Sequence, residues 1–356
     1  MYRIFFSGVL FFIQIVTSFA QTSAPKYSNE FLSIGVGARA HGMSNAMTAV
    51  TSDVTSGYWN PAGLLDLSSR YQVGLMHSEY FAGIAKYDYG SVATRLDSNS
   101  VIGVSVIRFG IDDIPDTRFL YDANGTINYD NVRYFSASDY AFILSYARKI
   151  PRLKGVQTGA NFKVVHRIVG SFATAWGFGL DAGAKYKHKS WLFGLMARDV
   201  TNTFNAWSYN TEMFRDIFIQ TGNEIPQNSI EITLPRLVLG VAKNFVKEER
   251  KIGVLAALDL ITTFDGKRNT LIKTGLASVE PAAGIEIDYK KIIFLRGGVG
   301  NFQKIQDFSR SYYSVQPNFG IGVKIYRFSI DYALTNPGNT SEILYSNVFS
   351  LTINLN

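Results

Sequence analysis

Trp176-Gly177-Phe178-Gly179-Leu180-Asp181-Ala182-Gly183-Ala184-Lys185-Tyr186-Lys187 alternates without a slip between an apolar side chain and a glycine or a charge. Side chains of an extended strand point in turn to opposite faces, so this stretch has one apolar face and one polar, nearly bare face. The same rhythm recurs from about Arg70 to the last residues. Phe319, Ile321, Val323 and Ile325 carry it, as do Phe328, Ile330, Tyr332 and Leu334, then Phe349, Leu351, Ile353 and Leu355. A soluble β-sandwich shares this alternation, but three features point instead to a transmembrane β-barrel. The runs reach about 10–16 residues, whereas strands of globular proteins are mostly about 5–6. The polar face is rich in glycine with isolated charges of both signs, as a crowded lumen requires. Aromatics such as Trp176 and Tyr186 close the ends of the apolar face, where membrane interfaces lie.

Counting runs predicts about fourteen antiparallel strands, over 70–78, 83–96, 99–112, 138–150, 155–169, 173–188, 191–204, 229–246, 251–264, 270–289, 292–303, 312–325, 327–336 and 343–355. Pro235 and Pro281 fall inside two of them and should mark bulges or ends. The connections test the count: with the first strand rising from the periplasm, the long ones, 113–137 and 205–228, both face outside. The short ones face inside, as the barrel rule demands. Those short turns collect Lys149, Arg152 and Lys154, then Lys187 and Lys189, Lys247 to Lys251, and Lys290 and Lys291. They read as a solvated rim, with a basic ring meeting an acidic partner as the alternative.

Two segments precede the barrel. Arg3, the apolar run Ile4 to Val16, and small residues at Ser18 and Ala20 read as a signal peptide over 1–20, cleaved after Ala20. The domain plan is therefore a signal over 1–20, a plug over 21–69 and a barrel over 70–356. The plug is small-residue rich, with a short helix expected in Ala38 to Val50 that Asn60-Pro61 and Gly63 would not continue. So small a helix has no core of its own and must pack inside something else.

The rest of the composition excludes more than it suggests. There is no cysteine, which rules out disulfides and thiolate metal sites. The net charge is +7, or +6 without Arg3, and no dense basic tract carries interleaved aromatics, so no nucleic-acid partner is expected. Phosphate-cradling loops, nucleophile elbows and zinc-protease motifs are missing, and the four histidines are scattered. His77-Ser78-Glu79 has catalytic residue types, but neighbours on a strand face opposite ways. No enzyme, cofactor or metal is expected. Asp122 to Asp130 alternates oxygen ligands as a calcium loop does, yet lacks the distal Glu, and Asx turns account for it.

The plug is more specific. Gly37-Ala38-Arg39-Ala40-His41-Gly42-Met43-Ser44-Asn45-Ala46, then Asp53, then Trp59-Asn60-Pro61-Ala62-Gly63-Leu64, resembles the N-terminus of the PorV/PorQ family. That family belongs to the FadL-like outer-membrane proteins of Bacteroidota and related bacteria. Gly63 departs from PorV proper and points to a paralogue. The resemblance implies a fourteen-stranded barrel stoppered by an N-terminal hatch, in the outer membrane of a Gram-negative bacterium. Gly37, Arg39, Gly42, Asn45, Asp53, Trp59, Asn60, Pro61 and Gly63 then form the hatch motif.

Three functions follow as expectations. As a PorV/PorQ-type protein, the chain would serve type IX secretion, binding cargo or machinery through outer-loop anchors. Those are Arg118, Phe119, Tyr121, Arg133, Tyr134, Trp207, Tyr209 and Phe214. As a FadL-like transporter, it would pass a hydrophobic ligand. Ile102, Val104 and Val106, on a strand apolar on both faces, would then be a lumen wall near a lateral exit, or else a protein contact within the membrane. A passive structural barrel is the third. The interior charges Lys163, Arg167, Asp181, Lys185, Arg198, Asp259, Glu286, Asp288, Lys324 and Asp331 are expected to pair with one another or with the plug, or to line a polar pathway. Membrane lipid is the partner common to all three functions.

Overall fold

The computed structural model describes residues 27–355, apart from Ala123, Phe214 and the segments 246–250, 307–310 and 336–345. The expected signal peptide thus lies outside the described residues, as do Phe214, Lys247 and Arg250. The wall strands are β1 Tyr71–Tyr80, β2 Ala85–Arg95, β3 Ser100–Asp116, β4 Arg133–Lys149, β5 Val156–Val169 and β6 Ala173–His188. β7 runs in two pieces, Trp191–Arg198 and Thr203–Tyr209, and so does β8, Ser229–Thr233 and Arg236–Asn244. β9 Ile252–Thr263, β10 Ser278–Tyr289, β11 Ile293–Gln306, β12 Ser311–Ile325, β13 Phe328–Thr335 and β14 Ser346–Leu355 complete the wall. Each pairs antiparallel with its neighbours, and β1 pairs with both β2 and β14. The result is a closed fourteen-stranded barrel, which leaves no edge to template aggregation. No helix among the described residues is long and apolar enough to cross a membrane; the strands do the crossing.

The alternation sorts the faces as the sequence requires. On β6, Trp176, Phe178 and Leu180 are 50, 41 and 44% exposed, while Asp181 and Lys185 are buried. Outside is an apolar belt. Inside, the hatch takes up the lumen.

Several boundaries differ from expectation for identifiable reasons. β3 and β4 continue past the expected limits because a bulge between Ile111 and Ile114, with Asp113 at φ 57°, restores pairing of 114–116 with 133–135. Arg133 and Tyr134 therefore sit on a strand, not in a loop. Trp207 and Tyr209 likewise belong to the outer piece of β7. Pro235 does interrupt its strand, separating the two pieces of β8. Pro281 does not interrupt its own: it stays in register with Leu260 of β9, and the ladder to β11 reaches only Ala283, so the strand has a free side there. The outer part of the expected 270–289 strand instead folds back, Ile272–Lys273 pairing with Ser278 and Val279.

One expectation reverses. Ile102, Val104 and Val106 point outward, Val104 and Val106 being 45 and 38% exposed. They belong to the lipid-facing belt and not to the lumen wall. β3 is apolar on both faces because its inner face also packs on apolar partners: Val101 clusters with Leu64 and Leu65 of the hatch. Val104→Arg should therefore destabilise the folded barrel by about 2–4 kcal/mol if it lies near the bilayer midplane. Denaturant titration in lipid vesicles reads this, and an unchanged midpoint would contradict the outward placement.

Candidate functional site

The hatch enters the lumen as a chain of tight turns. A 3-10 turn over Glu30–Ser33 leads to α1, Ala38–Gly42, then α2, Ser56–Trp59, then a second 3-10 turn, Pro61–Asp66. The helix expected within Ala38 to Val50 stops at Gly42 because Ser44 and Asn45 adopt φ 51° and 65°, the left-handed region that ends helices. Asn60 caps the second 3-10 turn by accepting from Ala62 N at 3.2 Å, with Pro61 at its first position.

Each motif residue has a place in this plug. Asn60 is fully buried, and its Nδ2 donates to Thr48 O of the hatch at 3.0 Å and to Ala184 O of the wall at 3.1 Å. Trp59 Nε1 donates to Val36 O at 2.9 Å. Asp53 accepts from Thr55 N at 2.9 Å, closing the turn before α2. Asn45 Nδ2 donates to Ile34 O. Gly37, at φ 89°, donates its N–H to Met76 Sδ of β1. Gly42 lies against Gly320 of the wall, where a Cβ would meet Gly320 Cα at 2.9 Å, and Gly63 is similarly pressed on Thr51 O at 2.7 Å.

Ion pairs lock the hatch to the wall. Arg39 grips Glu286 of β10 at 2.8 and 2.9 Å; Arg296 of β11 bridges the same carboxylate and Asp331 of β13, both at 2.6 Å. Lys185 holds Asp66 at 2.8 Å. Lys163 holds Asp181 and Asp199 within the wall, and Arg167 holds Asp139. The expectation that interior charges pair is met at these positions. At Arg198, Asp259, Asp288 and Lys324 it is not: none has an ion-pair partner within 4.0 Å among the described residues. Arg198 donates to the carbonyls of Leu32 and Tyr58 and lies 4.4 Å from the Tyr58 ring centroid, with Asp181 and Asp199 as its acidic neighbours and no carboxylate within 4.0 Å among the described residues. Asp259 Oδ2 accepts from Thr48 N at 2.9 Å, while Oδ1 is buried and unpartnered.

Both residues face a cavity of about 160 Å³ between the hatch and the outer half of the wall. Trp59, Val238 and Ile261 form its apolar side, and Arg236, Arg268 and Glu280 add charge. Alternation had exposed Arg198 and Asp259 as inward-facing. Nothing in the sequence signalled that they share a cavity, because the hatch residues beside them come from a segment without periodicity.

Buried in the hatch, His41 Nε2 donates to Gly35 O at 3.2 Å, which fixes that tautomer, and burial pulls its pKa from 6.5 down to about 4. Its neutral form is therefore the one the folded hatch favours. That contribution is complete above pH 6.5 and declines as pH falls toward 4, at up to about 1.4 kcal/mol per pH unit. Protease susceptibility of the hatch should rise over that window, and His41→Gln should flatten the His41 part of the profile. An identical profile in the variant would remove His41 as a cause.

The proposed outer-loop anchors divide. Arg118 is held by Asp116 at 2.6 Å and lies over the Phe172 ring; Arg133 lies over Phe119; Trp207 Nε1 donates to Glu231 at 2.8 Å. These fold back onto the barrel mouth. Tyr209 is half-buried, its N–H donating to Asn228 at 3.1 Å. Tyr121 and Tyr134 stand free at 63 and 67% exposure. In the loop between β3 and β4, Asp122 Oδ1 accepts from Asn124 N and Thr126 N, an Asx turn. His77 and Glu79 point outward and Ser78 inward, so that trio shares no site.

No family model matches the chain, and no curated protein does. Solved structures do. The Pseudomonas putida toluene transporter TodX aligns with 15% identity and a TM-score of 0.55, covering 90% of this chain and 99% of its own. The Ralstonia pickettii toluene transporter TbuX gives 12% identity and 0.51 over 90 and 99%. A Pseudomonas aeruginosa FadL homologue gives 12% and 0.52 over 89 and 97%. At such identities the likeness speaks for the fold, and the chain has that fold nearly end to end: a FadL-like, fourteen-stranded barrel.

Proposed function

We propose that the chain is a gated outer-membrane transporter that admits small molecules with a hydrophobic body. The observation that carries this reading is the hatch itself. It stoppers a barrel built like the toluene transporters, it is fastened to the wall by a few buried polar contacts, and a separate cavity of about 160 Å³ lies between hatch and wall. A passive structural barrel has no use for such a closure. The apolar belt is the seat for outer-membrane lipid, in a Gram-negative outer membrane.

Uptake of labelled toluene by cells that have no other hydrocarbon transporter, with this chain expressed in their outer membrane, tests the proposal. Faster uptake than in empty-vector cells is expected, and faster still when the hatch lock is cut. Uptake equal to the empty-vector rate in both cases would sink it.

The PorV/PorQ-type role in type IX secretion is a second reading. The hatch motif over residues 30–66 supports it, together with the unoccupied tyrosines Tyr121, Tyr129 and Tyr134 at the rim. Affinity purification from gently solubilised native membranes separates the two readings. Secretion machinery or cargo lost on Tyr121→Ala and Tyr134→Ala would favour the second.

A further inference from the structure

The apolar belt is cut into on one side. On β6 the outward positions Trp176, Phe178, Leu180, Ala182, Ala184 and Tyr186 are apolar from one interface to the other. On β1 they are Tyr71, Val73 and Leu75, and then His77 and Glu79 follow. Lys86 and Asp88 on β2, and Arg108 and Asp112 on β3, also face outward. Among the described residues no other wall strand carries a carboxylate on its outer face. The register sets the depth of this cluster. The row of cross-strand partners that starts at Trp176 on β6 passes Arg108, Asp88 and His77 and reaches Leu295 on β11. Trp176 stands twelve residues from the periplasmic end of its strand at His188, His77 six from Tyr71, and Leu295 two from Ile293. The row therefore descends across the wall. With strands about 4.8 Å apart and tilted by about 40°, it drops roughly 3 Å per strand. His77 thus lies about 15 Å below Trp176, inside an apolar band about 25 Å tall. Pairing within the cluster leaves it open: His77 holds Asp88 at 2.7 Å, yet their side chains remain 50 and 40% exposed. Hydrocarbon offers such groups no hydrogen bond. Anionic headgroups neither sit so deep nor suit a patch where carboxylates outnumber lysine and arginine.

We propose that this patch is the interface of a homodimer within the membrane, two barrels related by a two-fold axis along the bilayer normal. Such an axis keeps every residue at its own depth, so the charges of one copy meet those of the other. Carrying both signs, the patch complements itself. Its shape does too. Below the charges, a hollow at Gly90 lies among Leu75, Val106, Ile330 and Phe349. A Cβ on Gly90 would meet nothing nearer than Leu75 Cδ2 at 3.8 Å, whereas Phe349 projects, 54% exposed. Gly90 is two residues below Asp88 on its strand, and Phe349 is two strands down the row from Asp88, drops of about 5 and 6 Å. Knob and hollow therefore share a level on either side of β1. The Phe349 ring of each copy seats over Gly90 of the other, with Leu75 beside the axis.

The chain has no cysteine, so single cysteines report the contact. In isolated outer membranes, oxidation with copper phenanthroline should link Leu75→Cys into a covalent dimer. Leu239→Cys, outward on β8 at the far wall of the barrel, should stay monomeric. Light scattering of the native protein in gentle detergent should give two chains per particle. Arg108→Asp sets carboxylates against carboxylates in both copies and should lower the cross-linked fraction of Leu75→Cys by about tenfold or more. Adding Asp88→Arg restores both signs and should restore the dimer. Heat-modifiable gel mobility of each variant shows whether its barrel has assembled. A one-chain particle, cross-linking of Leu75→Cys no greater than of Leu239→Cys, or a dimer indifferent to Arg108→Asp would each overturn the proposal. So would a monomer whose patch holds copurified lipid or another protein. The transport reading fails separately: a dimer that passes no toluene keeps the interface and removes transport, and a monomer that passes toluene does the reverse.

Discussion

Glu286→Gln is expected to unlatch the hatch. The carboxylate is 7% exposed and serves two guanidiniums at once, accepting from Arg39 at 2.8 and 2.9 Å and from Arg296 at 2.6 Å. The amide keeps the shape and loses the charge, leaving two buried cations with Asp331 alone. Removing one partner of a buried ion pair costs about 3–5 kcal/mol, and the lower end applies because Arg39 keeps a fifth of its side-chain surface in contact with solvent. Since Arg39 belongs to the hatch and Arg296 and Asp331 to the wall, the loss falls on the contact between them. Single-channel recording in planar bilayers should show frequent open events where the native protein is closed, and protease should cut residues 27–66 from the solubilised variant. Asp331→Asn should do less, because Arg296 still has Glu286. A closed, protease-resistant Glu286→Gln protein would mean that the hatch is held by other contacts.

Gly284→Val is expected to displace the hatch by volume instead of charge. A Cβ there would lie 2.6 Å from Met43 O and 2.9 Å from Met43 Cα, and at the cross-strand neighbour Gly298 a Cβ would lie 2.6 Å from Ser44 N. The obstacle is backbone held in a left-handed turn at Ser44 and Asn45, so no rotamer change relieves it. Overpacking of this kind costs about 1–3 kcal/mol where side chains can shift, and more is expected here. Gly297→Ala is the control: its Cβ would meet nothing nearer than Ile285 at 3.9 Å. The Gly284→Val barrel should still assemble, shown by heat-modifiable mobility on gels, while hatch proteolysis and conductance rise together. If the hatch stays as protected as in the Gly297→Ala control, the close approach is not what seats it.

Both experiments touch contacts that could be read in the sequence by halves. Glycine on the inner face of the strands announced that something would crowd the wall, and Arg39 and Glu286 were both in view as inward or plug residues. Their partnership was not, because the hatch has no period that would set its register against the strands. The same gap explains the reversal at Ile102, Val104 and Val106. A strand apolar on both faces is ambiguous until one knows that Leu64 and Leu65 of the hatch lie behind Val101.

The sequence by itself determined the barrel. Period-2 alternation is a local consequence of the extended backbone, and connection lengths set the up-and-down order, so strand number follows without tertiary information, as do the inner and outer faces of every strand with one polar face. Only the tertiary structure decided which inward charges are neutralised and which are left over. Burial energetics depend on who stands within a few ångströms, and those neighbours come from chain segments far apart. Asp259 and Arg198 look like Asp181 and Lys163 when read along a strand. Closure of the wall around the hatch is what pairs the latter two and leaves the former facing a cavity.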